Sequence, residues 1–93
     1  MDKKKLIIAR NKIDQLDNSI FNLIKKRTKI VKDMLGLKRY KNQIVDRKRI
    51  NKILKNIRKK SMRNRIDPQI TTRIWKAMIW SYVYFQKKNF KKK

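Results

Sequence analysis

Between residues 13 and 37 apolar side chains recur every three or four positions: Ile13, Leu16, Ile20, Leu23, Ile30, Met34 and Leu37. That spacing is one stripe of an α-helix, close to the heptad pattern of a coiled coil. Helix-breaking residues are scarce, with Gly36 and Pro68 the sole examples of their kinds. The stripe therefore predicts one helix from about residue 4 to about 39. A helix that long measures about 50 Å, more than the remaining short segments of a small globule can cover. The expected fold is all-α: a three-helix protomer with a very long first helix, packed against a second chain.

The series has one break. Arg27 stands where another Leu or Ile is expected, between Ile24 and Val31. A buried unpaired cation is costly, and positions 23, 24, 30 and 31 offer no Asp. Two readings follow. Arg27 snorkels to the edge of the stripe, or it faces a cavity that receives an anion. Lys38 lies eleven residues on, three turns and nearly the same face, about 16 Å along the axis. Arg10 lies on the same line but seventeen residues before Arg27, about 25 Å away. It reaches a small ligand beside Arg27 only from an antiparallel partner helix.

The rest of the chain supplies two shorter helices. "KRYKNQIVD" reads as a loop. Asp46 suits the N-cap of a helix from about 47 to 63, with Ile50, Ile53, Leu54 and Ile57 as its apolar face. Asp67 and Pro68 form an N-cap and first-turn pair opening a helix from about 68 to 88. In it Ile70, Ile74, Ala77, Met78, Ser81 and Phe85 make one stripe, and Trp75, Ile79, Tyr82 and Gln86 a neighbouring one. The basic tail, 87–93, is expected to fray. The 93 residues make a single domain, 1–93.

Composition narrows the chemistry. The chain has 30 Lys and Arg against 6 acidic residues, a formal charge of +24, and no His or Cys. Its carboxylates are all Asp: Asp2, Asp14, Asp17, Asp33, Asp46 and Asp67. Disulfides, thiolate nucleophiles, zinc sites of the usual kind and histidine acid–base chemistry are excluded. No cofactor or metal is expected, and the partner or substrate is anionic. No segment is long and apolar enough to span a bilayer, and the first residues lack the pattern of a secretory signal. A cytoplasmic chain without a membrane partner is expected.

A charge this high also permits nonspecific binding to nucleic acid. Against a dedicated interface, no helix-turn-helix or RNA-recognition signature occurs. The aromatic residues Trp75, Trp80, Tyr82, Tyr84 and Phe85 sit at helical spacing in a segment that needs a core. The cations also divide evenly along the chain. No specific nucleic-acid partner is expected.

Taken together, the motifs resemble the all-helical chorismate mutase family. The family's first helix carries an Arg, then Ile-x-x-Leu-Asp, an Arg ten residues after that Asp and a Lys eleven further on. Here these are Arg10, Ile13, Leu16, Asp17, Arg27 and Lys38. "IVDRKRI" is similar to the family's Ile-Tyr-Asp-Pro-Glu-Arg-Glu segment and places Asp46 and Arg49. "TTRIWKAMIWSYVYFQ" resembles its third helix, with Gln86 at the active-site glutamine. Nearly the whole chain is covered, with one deletion after Lys38.

The resemblance implies an intertwined helical homodimer with two active sites, each taking Arg10 from the other chain. It implies that Arg10 and Lys38 hold the enolpyruvyl carboxylate of a dianionic substrate and Arg27 the ring carboxylate. Lys38 and Gln86 would be the catalytic donors to the ether oxygen, and Arg49 would orient the substrate. The implied reaction is the Claisen rearrangement of chorismate to prephenate, a step of aromatic amino acid biosynthesis. Two positions depart from the mutase pattern. Ile50 stands where a Glu would accept from the ring hydroxyl, and Tyr82 where a Ser is expected. Both resemble the isochorismate pyruvate lyase branch, which makes salicylate and pyruvate on the same fold. Both also suit ordinary packing.

Overall fold

The computed structural model describes residues 2–91. Helix α1 spans Lys3–Leu37, a 3₁₀ turn Lys41–Gln43, helix α2 Arg47–Arg63 and helix α3 Pro68–Asn89. Among the described residues there is no strand. The all-α expectation with a very long first helix holds, and the helix boundaries fall within two residues of those read from the sequence. The chain divides into two compact units, residues 1–32 and 33–93.

The first unit is helical from Lys3 onward. Asp2 Oδ1 accepts from the backbone N–H of Lys5 at 3.2 Å, satisfying one of the donors a helix start leaves free. The apolar line along this helix is largely uncovered within one chain. Leu16 and Leu23 are 62 and 63 % exposed, and Ile13, Ile20 and Ile30 are also exposed. Val31 is buried.

The second unit is a helical hairpin whose ends are defined by short-range hydrogen bonds. Asp46, extended at φ −106° and ψ 92°, caps α2 by accepting from the backbone N–H of Arg49. The helix ends in a Schellman arrangement. The N–H of Ile66 reaches the carbonyl of Ser61 at 2.9 Å, and that of Arg65 reaches Met62 at 3.3 Å. Arg65 occupies the left-handed position at φ 57°, one that glycine usually fills. Asp67 then accepts from the N–H of Gln69 at 2.9 Å, with Pro68 in the first turn of α3.

Helices α2 and α3 pack together. Ile53, Leu54 and Ile57 are half-buried on α2, while Ile79 and Val83 are buried on α3. Burying a side chain of this size stabilises by about 1.5–3 kcal/mol. Ile44, in the connection between α1 and α2, is also buried. A polar tie joins the hairpin near its turn. Ser61 Oγ lies 2.6 Å from Thr71 Oγ1 and donates to the carbonyl of Ile57.

Two local expectations change, and one choice that the sequence left open is decided. The loop after Lys38 contains a turn of 3₁₀ helix, because Gln43 Oε1 accepts from the N–H groups of Arg39 and Tyr40 at 2.8 and 2.9 Å. Of the two stripes on α3, the one with Trp75, Ile79 and Gln86 lies inward, while Ile70 and Ile74 are exposed. The tail is helical through Asn89 rather than frayed from 87, and Asn89 Nδ2 donates to the carbonyl of Phe85. Lys92 and Lys93, also assigned to that tail, lie outside the described residues.

Candidate active site

Lys38 follows the last residue of α1 and Gln86 lies near the end of α3. Forty-eight positions apart, they meet: Lys38 Nζ donates to Gln86 Oε1 at 2.7 Å. Gln86 is buried, an unusual setting for an amide, and its hydrogen bonds account for it. Besides accepting from Lys38, its Nε2 donates to the carbonyl of Tyr82 one turn earlier at 3.2 Å. The amide is thus held at both ends, by its own helix and by the ammonium.

Lys38 is half-buried. Burial disfavours its charged form and lowers its pKa from the usual 10.5, while the negative charge of Asp46 acts the other way. The first effect prevails. The result is a partly desolvated ammonium, whose attraction for an anion is stronger than that of a fully hydrated lysine. Asp46 therefore has two roles: it caps α2 and it offsets part of the desolvation of Lys38.

Around Lys38 the surface forms an open cleft of about 810 Å³, lined by Lys38, Lys41, Asn42, Gln43, Val45, Asp46, Arg47 and Lys87. Four cations face one carboxylate there, a field suited to a dianion of modest size. Lys41, Arg47 and Lys87 were not singled out by sequence. Lys87 adjoins Gln86, but nothing in the pattern distinguishes it from any other surface lysine. Lys41 reaches the cleft because of the 3₁₀ turn.

The remaining sequence candidates are distributed as follows. In the second unit, Arg49 is exposed, Ile50 is half-buried on the apolar side of α2, and Tyr82 is half-buried on α3. The backbone N–H of Ile50 bonds to the carbonyl of Asp46 at 2.9 Å. Arg10 and Arg27 belong to the first unit, on α1. Arg10 is exposed, and Arg27 is half-buried, one of few half-buried residues on that helix. Among the described residues no three His, Cys, Asp or Glu side chains gather into a metal-binding group, and no helix is long and apolar enough to cross a membrane.

Chemically, the second unit offers a charged donor and a buried amide at one point, within a cationic cleft. None of the side chains lining the cleft is a hydroxyl or a thiol. Such a place can bind an anion and stabilise negative charge developing on an oxygen.

Comparison with known proteins agrees with this chemistry. The family model described as chorismate mutase type II matches residues 9–87. No curated protein and no solved structure gives a significant match.

Proposed function

The chain belongs to the chorismate mutase type II family, and on that premise we propose that it rearranges chorismate to prephenate. Membership implies an enzyme of the chorismate mutase type. The observation that carries the finer reading is the convergence of Lys38 Nζ and Gln86 Oε1 at 2.7 Å. When substrate enters, the ammonium keeps two further N–H groups and the amide a second one. These are the donors an ether oxygen needs as its C–O bond breaks.

The reaction requires little else. One C–O bond breaks while one C–C bond forms, with no proton transferred and no covalent intermediate. Negative charge builds on the departing oxygen. Fixed donors aimed at that oxygen lower the barrier because they bind the transition state better than the ground state. Gripping both carboxylates holds a flexible molecule in its compact reactive conformer. In this reading Lys38 contributes to both tasks, Arg27 holds the ring carboxylate and Arg49 orients the substrate.

The proposal includes a second copy of the chain. The exposed line of Ile13, Leu16, Ile20, Leu23 and Ile30 on α1 has the spacing of a helix–helix seam. A homodimer would cover it and bring Arg10 of one protomer to the site of the other.

A second reading rests on Ile50. Its half-buried aliphatic side chain cannot accept a hydrogen bond from the ring hydroxyl of chorismate, and a site lacking that acceptor loses discrimination for the hydroxyl. With Tyr82, this favours isochorismate pyruvate lyase activity in the same cationic grip. Supplying chorismate and isochorismate in parallel tests the assignment. Faster formation of prephenate supports the mutase, and faster release of salicylate and pyruvate assigns the chain to the lyase.

A further inference from the structure

Counted along the chain the cations are evenly spread, but on α2 they are sorted by face. The helix carries nine Lys and Arg and no carboxylate across Arg47–Arg63. At 100° per residue, Ile50, Ile53, Leu54, Ile57 and Ser61 fall on one side, which is half-buried or buried where α2 packs on α3. All nine cations are exposed; Arg47, Arg49, Arg58 and Lys60 flank the apolar side, and the other five occupy the opposite side. Lys48, Lys52, Lys55, Lys59 and Arg63 lie nearly in line along its centre, over about 22 Å. Met62 is the one large apolar side chain on this outward face.

The cationic surface continues onto α3. A recess of about 230 Å³ is lined by Arg58 of α2 and by Pro68, Gln69, Thr72, Arg73 and Lys76 of α3. It contains three cations and no acid. From Arg47 to the end of the chain the single carboxylate is Asp67, whose oxygen already accepts from Gln69.

We propose that the outward face of α2, extended by Arg58, Arg73 and Lys76, binds the phosphate backbone of nucleic acid without sequence preference. A straight cationic line with no interspersed carboxylate matches a linear array of phosphates, and neutralising them releases condensed counterions. A membrane surface fits less well. An interfacial helix needs a free apolar face, and that of α2 is turned toward α3. The central line from Lys48 to Arg63 and the recess share no residue with the lining of the Lys38 cleft, and binding there does not depend on which substrate the enzyme takes.

The test is binding of a short fluorescent DNA duplex of arbitrary sequence, measured from about 0.05 to 0.2 M salt. The triple variant Lys52→Gln, Lys55→Gln and Lys59→Gln is compared with Lys3→Gln, Lys4→Gln and Lys5→Gln, which removes equal charge from α1. Helical circular dichroism checks both folds. If the α2 triple does not fold, Lys52→Gln, Lys55→Gln and Lys59→Gln are measured singly. The expected result for the α2 triple is a loss on the order of 100-fold near physiological salt and a log–log salt slope shallower by about 3, or about 0.9 per single change. The α1 triple should change affinity far less. Equal losses from both triples would assign the binding to bulk charge and overturn the proposal. So would an unchanged slope in the α2 variants, or full displacement of the duplex by millimolar pyrophosphate, which would make the recess a small-anion site.

Discussion

Lys38 and Gln86 close a hydrogen bond of 2.7 Å between the end of α1 and the end of α3, and the same two side chains are the proposed donors to the reacting oxygen. Before substrate arrives each holds the other in place. The ammonium has an acceptor in its half-buried position, and the amide is fixed by Lys38 and by the carbonyl of Tyr82. Preorganisation of this kind lets a donor stabilise charge without having to reorient during the reaction.

Replacing Gln86 by Leu keeps its bulk and removes its polar atoms. Turnover of chorismate should fall on the order of 10²–10³-fold, the usual cost of one transition-state donor. Steady-state kinetics checks this, with circular dichroism to show that the helices remain. Unchanged turnover in a folded variant would leave Gln86 a merely structural amide.

The pKa of Lys38 predicts a pH dependence with a definite sign. Burial disfavours the ammonium, so its pKa in the folded protein lies below 10.5. The ammonium is the form that donates and holds an anion. As pH rises, kcat/KM should therefore decline on an alkaline limb beginning below pH 10.5, because that parameter reports the free enzyme. Lys38→Arg should move the limb upward, whatever it does to the rate, since guanidinium stays protonated. Stability responds in the opposite sense. The unfolded chain binds the extra proton between the lowered value and 10.5, so this residue favours folding increasingly as pH rises through that window.

Ile50 should control the choice of dianion. Ile50→Glu restores an acceptor next to Arg49, and the prediction is a higher kcat/KM for chorismate relative to isochorismate, on the order of tenfold or more. Parallel assays of the variant and the parent measure that ratio. No change would mean that Ile50 does no more than extend the apolar side of α2.

Sharing of sites between chains is tested by complementation. Arg10→Ala and Lys38→Ala proteins should each be inactive. Mixed after unfolding and refolding together, they should recover activity. A dimer of one chain of each kind has one site with Lys38 from the first and Arg10 from the second. A mixture as inactive as its components would show that Arg10 is not supplied across an interface.

The turn after α2 gives a prediction about stability. Arg65 adopts φ 57°, where a Cβ is unfavourable and glycine is not. Arg65→Gly should raise the unfolding free energy by about 0.5–1 kcal/mol, partly offset by the greater freedom of glycine in the unfolded chain. Thermal or urea unfolding measures it.

How far the sequence announces all this depends on the range of the interactions involved. The starts of α2 and α3 are legible because Asp46, Asp67 and Pro68 act within three residues of themselves. The 3₁₀ turn is not, because it depends on Gln43 folding back onto Arg39 and Tyr40. Periodicity alone does not say which stripe of α3 lies inward, since that follows from its packing with α2: Ile79 is buried while Ile70 and Ile74 are exposed. Lys38 and Gln86 are recognisable through the family pattern, yet no local feature joins residues 48 positions apart. Counting charge by segment conceals the sorting on α2, which appears only when the residues are placed around the helix.

The central claim is that this cationic site rearranges chorismate, and proton NMR of chorismate incubated with the purified protein tests it most directly. The account predicts conversion to prephenate well above the uncatalysed rate, abolished by Lys38→Ala in a chain that remains folded. Chorismate that persists at the uncatalysed rate in the presence of the folded protein would contradict it.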